Sequence, residues 1–226
     1  MNKITLVLLT LVAAVGVFGA ATWLVPTERV STADSVASVV TRVEVAEPDR
    51  LVRPYSPVLG REDAPVTVVE FLDPACEACR AFHPTVKRIL ADNPDTVRVV
   101  VRYTPFHGEG SEVAIATLEA ARDQDLFEPV MQALFDRQNE WASHGAPATE
   151  RIMEIAAEAG LDPERANLLM RSPETIGIIN ADRADVEALG IRGTPTFFVN
   201  GEPLAEFGER ELVEAVEREV ARVEGS

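Results

Sequence analysis

The sequence predicts an α/β fold, and three observations carry that expectation. Two continuous apolar runs, Val66–Leu72 (VTVVEFL) and Val97–Tyr103 (VRVVVRY), flank a segment of helical periodicity, the order of a βαβ unit with a parallel pair. A long stretch of helical character follows, from about Ser111 to Leu189. β character then returns at Thr196–Val199, with a hairpin turn and a last amphipathic helix behind it.

The elements follow from the N-terminus. Residues Ile4 to Val25 carry no charge, with Lys3 before them and Glu28-Arg29 after. As a helix at about 1.5 Å per residue they would span roughly 33 Å, enough for a hydrocarbon core of about 30 Å. They are expected to form an N-terminal membrane anchor with the remainder of the chain exported. Gly19-Ala20-Ala21 offers a weak cleavage site, so residues 1–25 are an anchor or a signal sequence. Residues 26–61 lack a clear period and read as a tether, with a short strand around Leu51-Val52. The folded domain is expected over residues 62–226, with a helical insertion at about 110–190.

Within that domain, strand 66–72 leads into a helix over about 75–92, whose positions Cys79, Phe82, Val86 and Ile89 share one face. Pro84 lacks the N–H that would bond the carbonyl of Arg80 and is expected to kink it. In the insertion, Leu126, Val130 and Leu134 mark one face, and Ile152, Ala156 and Ala159 another. Asp162-Pro163 and Ser172-Pro173 each place a capping residue before a proline at the first helical position. Gly190 is a helix stop. Asn200-Gly201 is a strong two-residue hairpin signal, and Pro203 puts the second strand of that hairpin at an edge. The last helix, about 209–223, carries Leu212, Val213, Val216, Val220 and Val223.

The chain has two cysteines, three residues apart as Cys76-Glu77-Ala78-Cys79, after a buried strand and at the opening of a helix. Thiol–disulfide exchange requires this placement. The first sulfur meets the unpaired N–H groups and dipole of the helix N-terminus, and the second lies one turn on, able to close a disulfide. Two cysteines exclude a four-cysteine zinc site. The net charge of −16 argues against nucleic acid and against an anionic membrane surface as partners.

This order of parts, with Gly193-Thr194-Pro195-Thr196 opening the late strand, resembles the thioredoxin superfamily over roughly residues 58–223, and the long insertion resembles its DsbA-like branch. The resemblance implies a thioredoxin-like fold and a thiol–disulfide oxidoreductase with no cofactor, since the cysteines carry the electrons. Cys76 matches the nucleophilic thiol and Cys79 the resolving one. Pro195 matches the cis-proline that faces the disulfide and helps seat the substrate chain, with Thr194 before it. Glu70 matches a buried acid beneath the second cysteine, and Pro84 falls where thioredoxins kink this helix. The implied partners are cysteine-containing exported proteins, a membrane or soluble redox partner that recycles the disulfide, and the membrane through residues 4–25.

The residues refine this. The helix N-terminus stabilises a Cys76 thiolate by about 0.3–1 kcal/mol, whereas the neighbouring Glu77 carboxylate opposes it. Strongly oxidising family members usually hold a histidine inside the motif, and this chain has none. A tempered couple, less oxidising than DsbA, is therefore expected. Glu70, amid Val-Val-Glu-Phe-Leu, is either a buried acid that exchanges protons with Cys79 or a solvent-facing residue at a strand end. A rival from another class is a membrane-tethered copper(I) chaperone using Cys76, Cys79 and His83 in a CxxCxxxH pattern. The ordinary reading of His83 is a helix-surface residue. Asp73 is read as a turn residue with Pro74, and His107 and Trp141–Gly145 as loop or core.

Overall fold

The computed structural model describes residues 48–143 and 147–225. The expected anchor, most of the tether, and His144 and Gly145 lie outside the described residues. Among the described residues no helix is long and apolar enough to cross a membrane.

The strands are β1 (Val58–Gly60), β2 (Val66–Leu72), β3 (Val97–Tyr103), β4 (Thr196–Val199) and β5 (Glu202–Pro203). They form one mixed sheet in the order β1-β3-β2-β4-β5, with β2 and β3 parallel and the other pairs antiparallel. The helices are α1 (Pro48–Leu51), α2 (Glu77–Asp92), α3 (Glu109–Arg122), α4 (Phe127–Asp136), α5 (Gln138–Trp141), α6 (Thr149–Glu158), α7 (Pro163–Leu169), α8 (Pro173–Ala188) and α9 (Glu209–Glu224).

β2 and β3 are buried on both faces, which is why they read as continuous apolar runs. On one face Val66, Val68, Leu72, Val97, Val99 and Val101 pack with α2, α9 and the insertion in the main core. On the other, Val69, Phe71, Val100 and Phe198 pack with Leu51, Val186 and Ile191. α2 contains Pro84 and is assigned as one helix to Asp92. The caps behave as their chemistry requires: the Asp162 carboxylate accepts from the N–H groups of Glu164 and Arg165, and the Ser172 hydroxyl from Thr175. Asn200 (φ 48°) and Gly201 (φ 88°) both take the positive φ that a tight primed hairpin turn demands. β5, with Pro203, is an edge strand.

The tether boundary expected at residue 61 needs correcting. Residues 48–60 belong to the fold, and the short element near Leu51 is a helical turn and not a strand. β1 pairs with β3, and Leu51 is buried. The reason is long-range and ionic. Arg102 on β3 is fully buried and pairs with Asp182 at 2.7 Å and Asp185 at 2.8 Å on α8. Arg53 joins Asp185 at 2.6 Å, the Tyr55 hydroxyl donates to Asp182 at 2.9 Å, and Arg102 also donates to the Leu51 carbonyl at 3.0 Å. Burial opposes ionisation of Asp185, but the guanidiniums of Arg53 and Arg102 outweigh it and hold the carboxyl below its ordinary range.

Candidate functional site

β2 aims the site. Behind Leu72 the Asp73 carbonyl accepts the N–H of Cys76 at 3.0 Å, and its carboxylate accepts that of Ala75 at 2.9 Å. This side-chain-closed turn leaves Cys76 as the N-cap of α2, with extended backbone (φ −77°, ψ 124°). Both cysteines are free thiols and both are buried. As a thiol, Cys76 donates from Sγ to the Thr194 carbonyl at 3.2 Å. The Thr194-Pro195 peptide is cis, and Pro195 is buried.

The two sulfurs are electrostatically unlike. A hydrogen bond from the Cys79 thiol contributes most to lowering the Cys76 pKa to about 5; burial opposes it, and hydrogen bonds from the Thr194 side chain and the N–H groups of Cys79 and Ala78 add to it. Cys79 is pushed well above its ordinary value, first by burial, then by Cys76 and by the charge of Glu70. The Asp73 N–H reaches its sulfur at 3.5 Å.

Glu70 lies in the sheet between Val101 and Phe197, at a β2 position that alternates with Val68 and Leu72 and so faces the main core. It is 2% exposed, and among the described residues its Oε1 has no hydrogen-bond partner. Burial, and secondarily the Cys76 charge, pushes its carboxyl up to about 8. Cys76, Cys79, Glu70 and Thr194 thus meet in one place, with Pro195 beside them. Glu77 is exposed, where water screens its charge, and it is absent from the main influences on Cys76. The donors around the sulfur prevail over it.

His83 departs from the expected surface position. It is buried, its ring centroid is 5.0 Å from that of Phe135, and Nε2 lies 3.3 Å from Gln132 Oε1. Burial is the main reason its pKa is lowered. Its accounted contacts are with α4, and among the described residues no group of three or more His, Cys, Asp or Glu side chains could hold a metal ion. The copper(I) alternative is not supported.

Two contributions escaped sequence reasoning. Asp73 is fully buried, and its carboxylate, besides closing the turn, accepts from the N–H groups of Phe106 (2.8 Å) and His107 (3.1 Å) and lies 2.7 Å from His107 Nδ1. Gln138, at the start of α5, donates from Nε2 to the carbonyls of Pro74 (2.8 Å) and Cys76 (3.0 Å). Neither partnership leaves a periodic trace, since the partners are more than 30 residues apart in the chain.

Comparison with known proteins agrees with this fold. The thioredoxin family model matches residues 53–218. The chain is similar to a thioredoxin-like oxidoreductase of Silicibacter pomeroyi (37% identity, TM-score 0.68, covering 79% of this chain and 99% of that one). It is 30% identical over 180 residues to Disulfide bond formation protein D of Bacillus subtilis, covering 73% of this chain and 77% of that protein. It is also 36% identical over 159 residues to the Na(+)/H(+) antiporter NhaA of Herminiimonas arsenicoxydans, covering 70% of this chain but only 24% of the antiporter. The chain therefore spans about a quarter of the length of the antiporter it matches. With the family model matched over most of its length, the chain belongs to the thioredoxin family, and its structural neighbours are DsbA-like thiol–disulfide oxidoreductases.

Proposed function

We propose that this chain is a thiol–disulfide oxidoreductase whose Cys76–Cys79 couple exchanges with cysteines of exported proteins through a mixed disulfide at Cys76. The asymmetry of the two thiols supports this reading above all. One ionises near 5 beside Thr194, and the other is buried and hard to ionise. In the oxidising direction, a substrate thiolate attacks Cys76 Sγ. A substrate–Cys76 bond forms, the Cys76–Cys79 bond breaks, and Cys79 leaves with the electron pair and takes up a proton. Glu70, neutral at pH 7, supplies that proton and recovers it from water. A second substrate thiolate then displaces Cys76 as a stable thiolate, so the substrate loses two electrons and the protein gains them. Thr194 and Pro195 seat the substrate chain next to Cys76.

A low Cys76 pKa favours the dithiol, which directs the couple toward substrate oxidation; the name of the Bacillus relative is in keeping with this. A membrane or soluble redox partner would remove the two electrons. The apolar stretch 4–25 supports an extracytoplasmic setting, as an anchor or a signal sequence, joined by a tether to a thioredoxin domain that takes in the helical turn Pro48–Leu51. The test is trapping. A Cys79→Ala variant mixed with a disulfide-bonded peptide is expected to accumulate a thiol-cleavable adduct, and Cys76→Ala none. An adduct formed by Cys76→Ala through Cys79 would reverse the assignment.

A further inference from the structure

The helical insertion touches the cysteine motif through a side chain with no assigned part in the chemistry. Gln138 is buried, 62 residues from Cys76 in sequence, and both carbonyls it engages belong to the turn that carries the attacking sulfur. Its own backbone is firmly held. The Gln138 carbonyl accepts the N–H of Ala142 at 2.8 Å, and one helical turn on, the fully buried Trp141 donates from Nε1 to the Leu134 carbonyl at 2.9 Å. The amide is thus a fixed donor and not a mobile one.

A primary amide nitrogen carries two hydrogens, and here each has one carbonyl to meet. The two bonds have separate consequences. The bond to Pro74 fixes the turn before the helix, whose other side is closed by the Asp73 carboxylate on Ala75. The bond to Cys76 meets a carbonyl that already accepts the first helical N–H, from Arg80 at 3.2 Å. Together they set where the Cys76 Cα–Cβ bond points relative to the donors of the first turn. They also cover the negative ends of two carbonyl dipoles in the residues around the sulfur, which would otherwise oppose a thiolate.

We infer that Gln138 is a positioning residue for thiol–disulfide exchange: through the Pro74 and Cys76 carbonyls it holds the Cys76 sulfur where the helix N-terminus stabilises its thiolate, and so makes the insertion part of the redox machinery. The inference rests on Cys76 being the attacking sulfur.

The experiment compares wild-type protein with Gln138→Met, which keeps the length of the side chain and removes both donors. Thiolate absorbance against pH gives the Cys76 midpoint, and equilibration with glutathione buffers gives the exchange constant. The variant is expected to fold, to show a higher midpoint, and to lose about threefold to tenfold in the oxidising equilibrium constant, tenfold being about 30 mV for two electrons. A folded variant with both values unchanged would reduce Gln138 to a structural tie and overturn the inference. Should Gln138→Met not fold, the wild-type protein decides. The side-chain amide resonance of Gln138 is expected to move with the Cys76 titration, and a resonance indifferent to it would overturn the inference. Failure of the underlying reading looks different, because wild-type protein itself would then lack a low thiolate midpoint and exchange activity.

Discussion

Replacing Glu70 with leucine exchanges a buried acid for a hydrocarbon, and its effect on stability should depend on pH. In the folded protein the carboxyl is held at about 8 against an ordinary 4.5, chiefly by burial. Below the ordinary value the acid is protonated in both folded and unfolded chains, so its titration costs the fold nothing. As the pH rises past it, the unfolded chain releases the proton and the folded chain keeps it, so unfolding is favoured more and more until the folded carboxyl ionises near 8. At about 1.4 kcal/mol per pH unit, the cost reaches about 3.5 kcal/mol at pH 7 and about 5 kcal/mol at pH 8. These are upper bounds for the oxidised protein, because part of the rise comes from a Cys76 charge that a closed disulfide removes. Urea unfolding of oxidised wild-type and Glu70→Leu protein between about pH 5 and pH 8 reads it directly. The variant should gain on the wild type steadily with pH, and the same variant should resolve its mixed disulfide more slowly. A stability difference that is flat across this range would refute the buried neutral acid.

Three further outcomes follow from the geometry. Cys76 is lowered from 9.0 to about 5, so the reduced fold gains stability as pH rises through that window, about 3 kcal/mol at pH 7, or a couple about 60 mV more oxidising than an unperturbed dithiol. Removing the main donor in Cys79→Ala should raise the thiolate midpoint, and a couple no more oxidising than an unperturbed dithiol would contradict the assignment. His83→Ala should cost about 1–3 kcal/mol in thermal unfolding through lost packing while leaving the Cys76 midpoint and copper(I) affinity as in the wild type. Arg102→Met takes the buried guanidinium away from Asp182, which keeps only neutral hydrogen-bond donors, and leaves Asp185 to Arg50 and Arg53; it should cost about 3–5 kcal/mol, read as a lowered denaturant midpoint.

What the sequence made legible was what local chemistry decides. The bounds of β2 and β3 are those of the apolar runs, since strands buried on both faces are apolar at most of their positions, ends included. Asp162, Ser172 and Asn200-Gly201 act where their side chains and permitted φ angles allow nothing better. The illegible parts depend on partners far away in the chain. β1 is three residues long and carries no period, and Arg53 reads as tether until Asp185 is beside it. His83 could face solvent or core by spacing alone, and only the packing of α4 against it decides. The Cys79 thiol, which contributes most to lowering the Cys76 pKa, cannot be weighed from the motif alone, because its hydrogen bond to Cys76 depends on the buried geometry of the site.

Asp73 has one more consequence. Its carboxylate gathers N–H groups from the cysteine turn and from the loop at residues 106–107, so both segments are ordered before any substrate arrives. A polypeptide meeting Cys76 then finds a rim already set, with the half-exposed Phe106 ring held on the same frame. The entropy of assembling that rim is spent during folding and not again at each encounter.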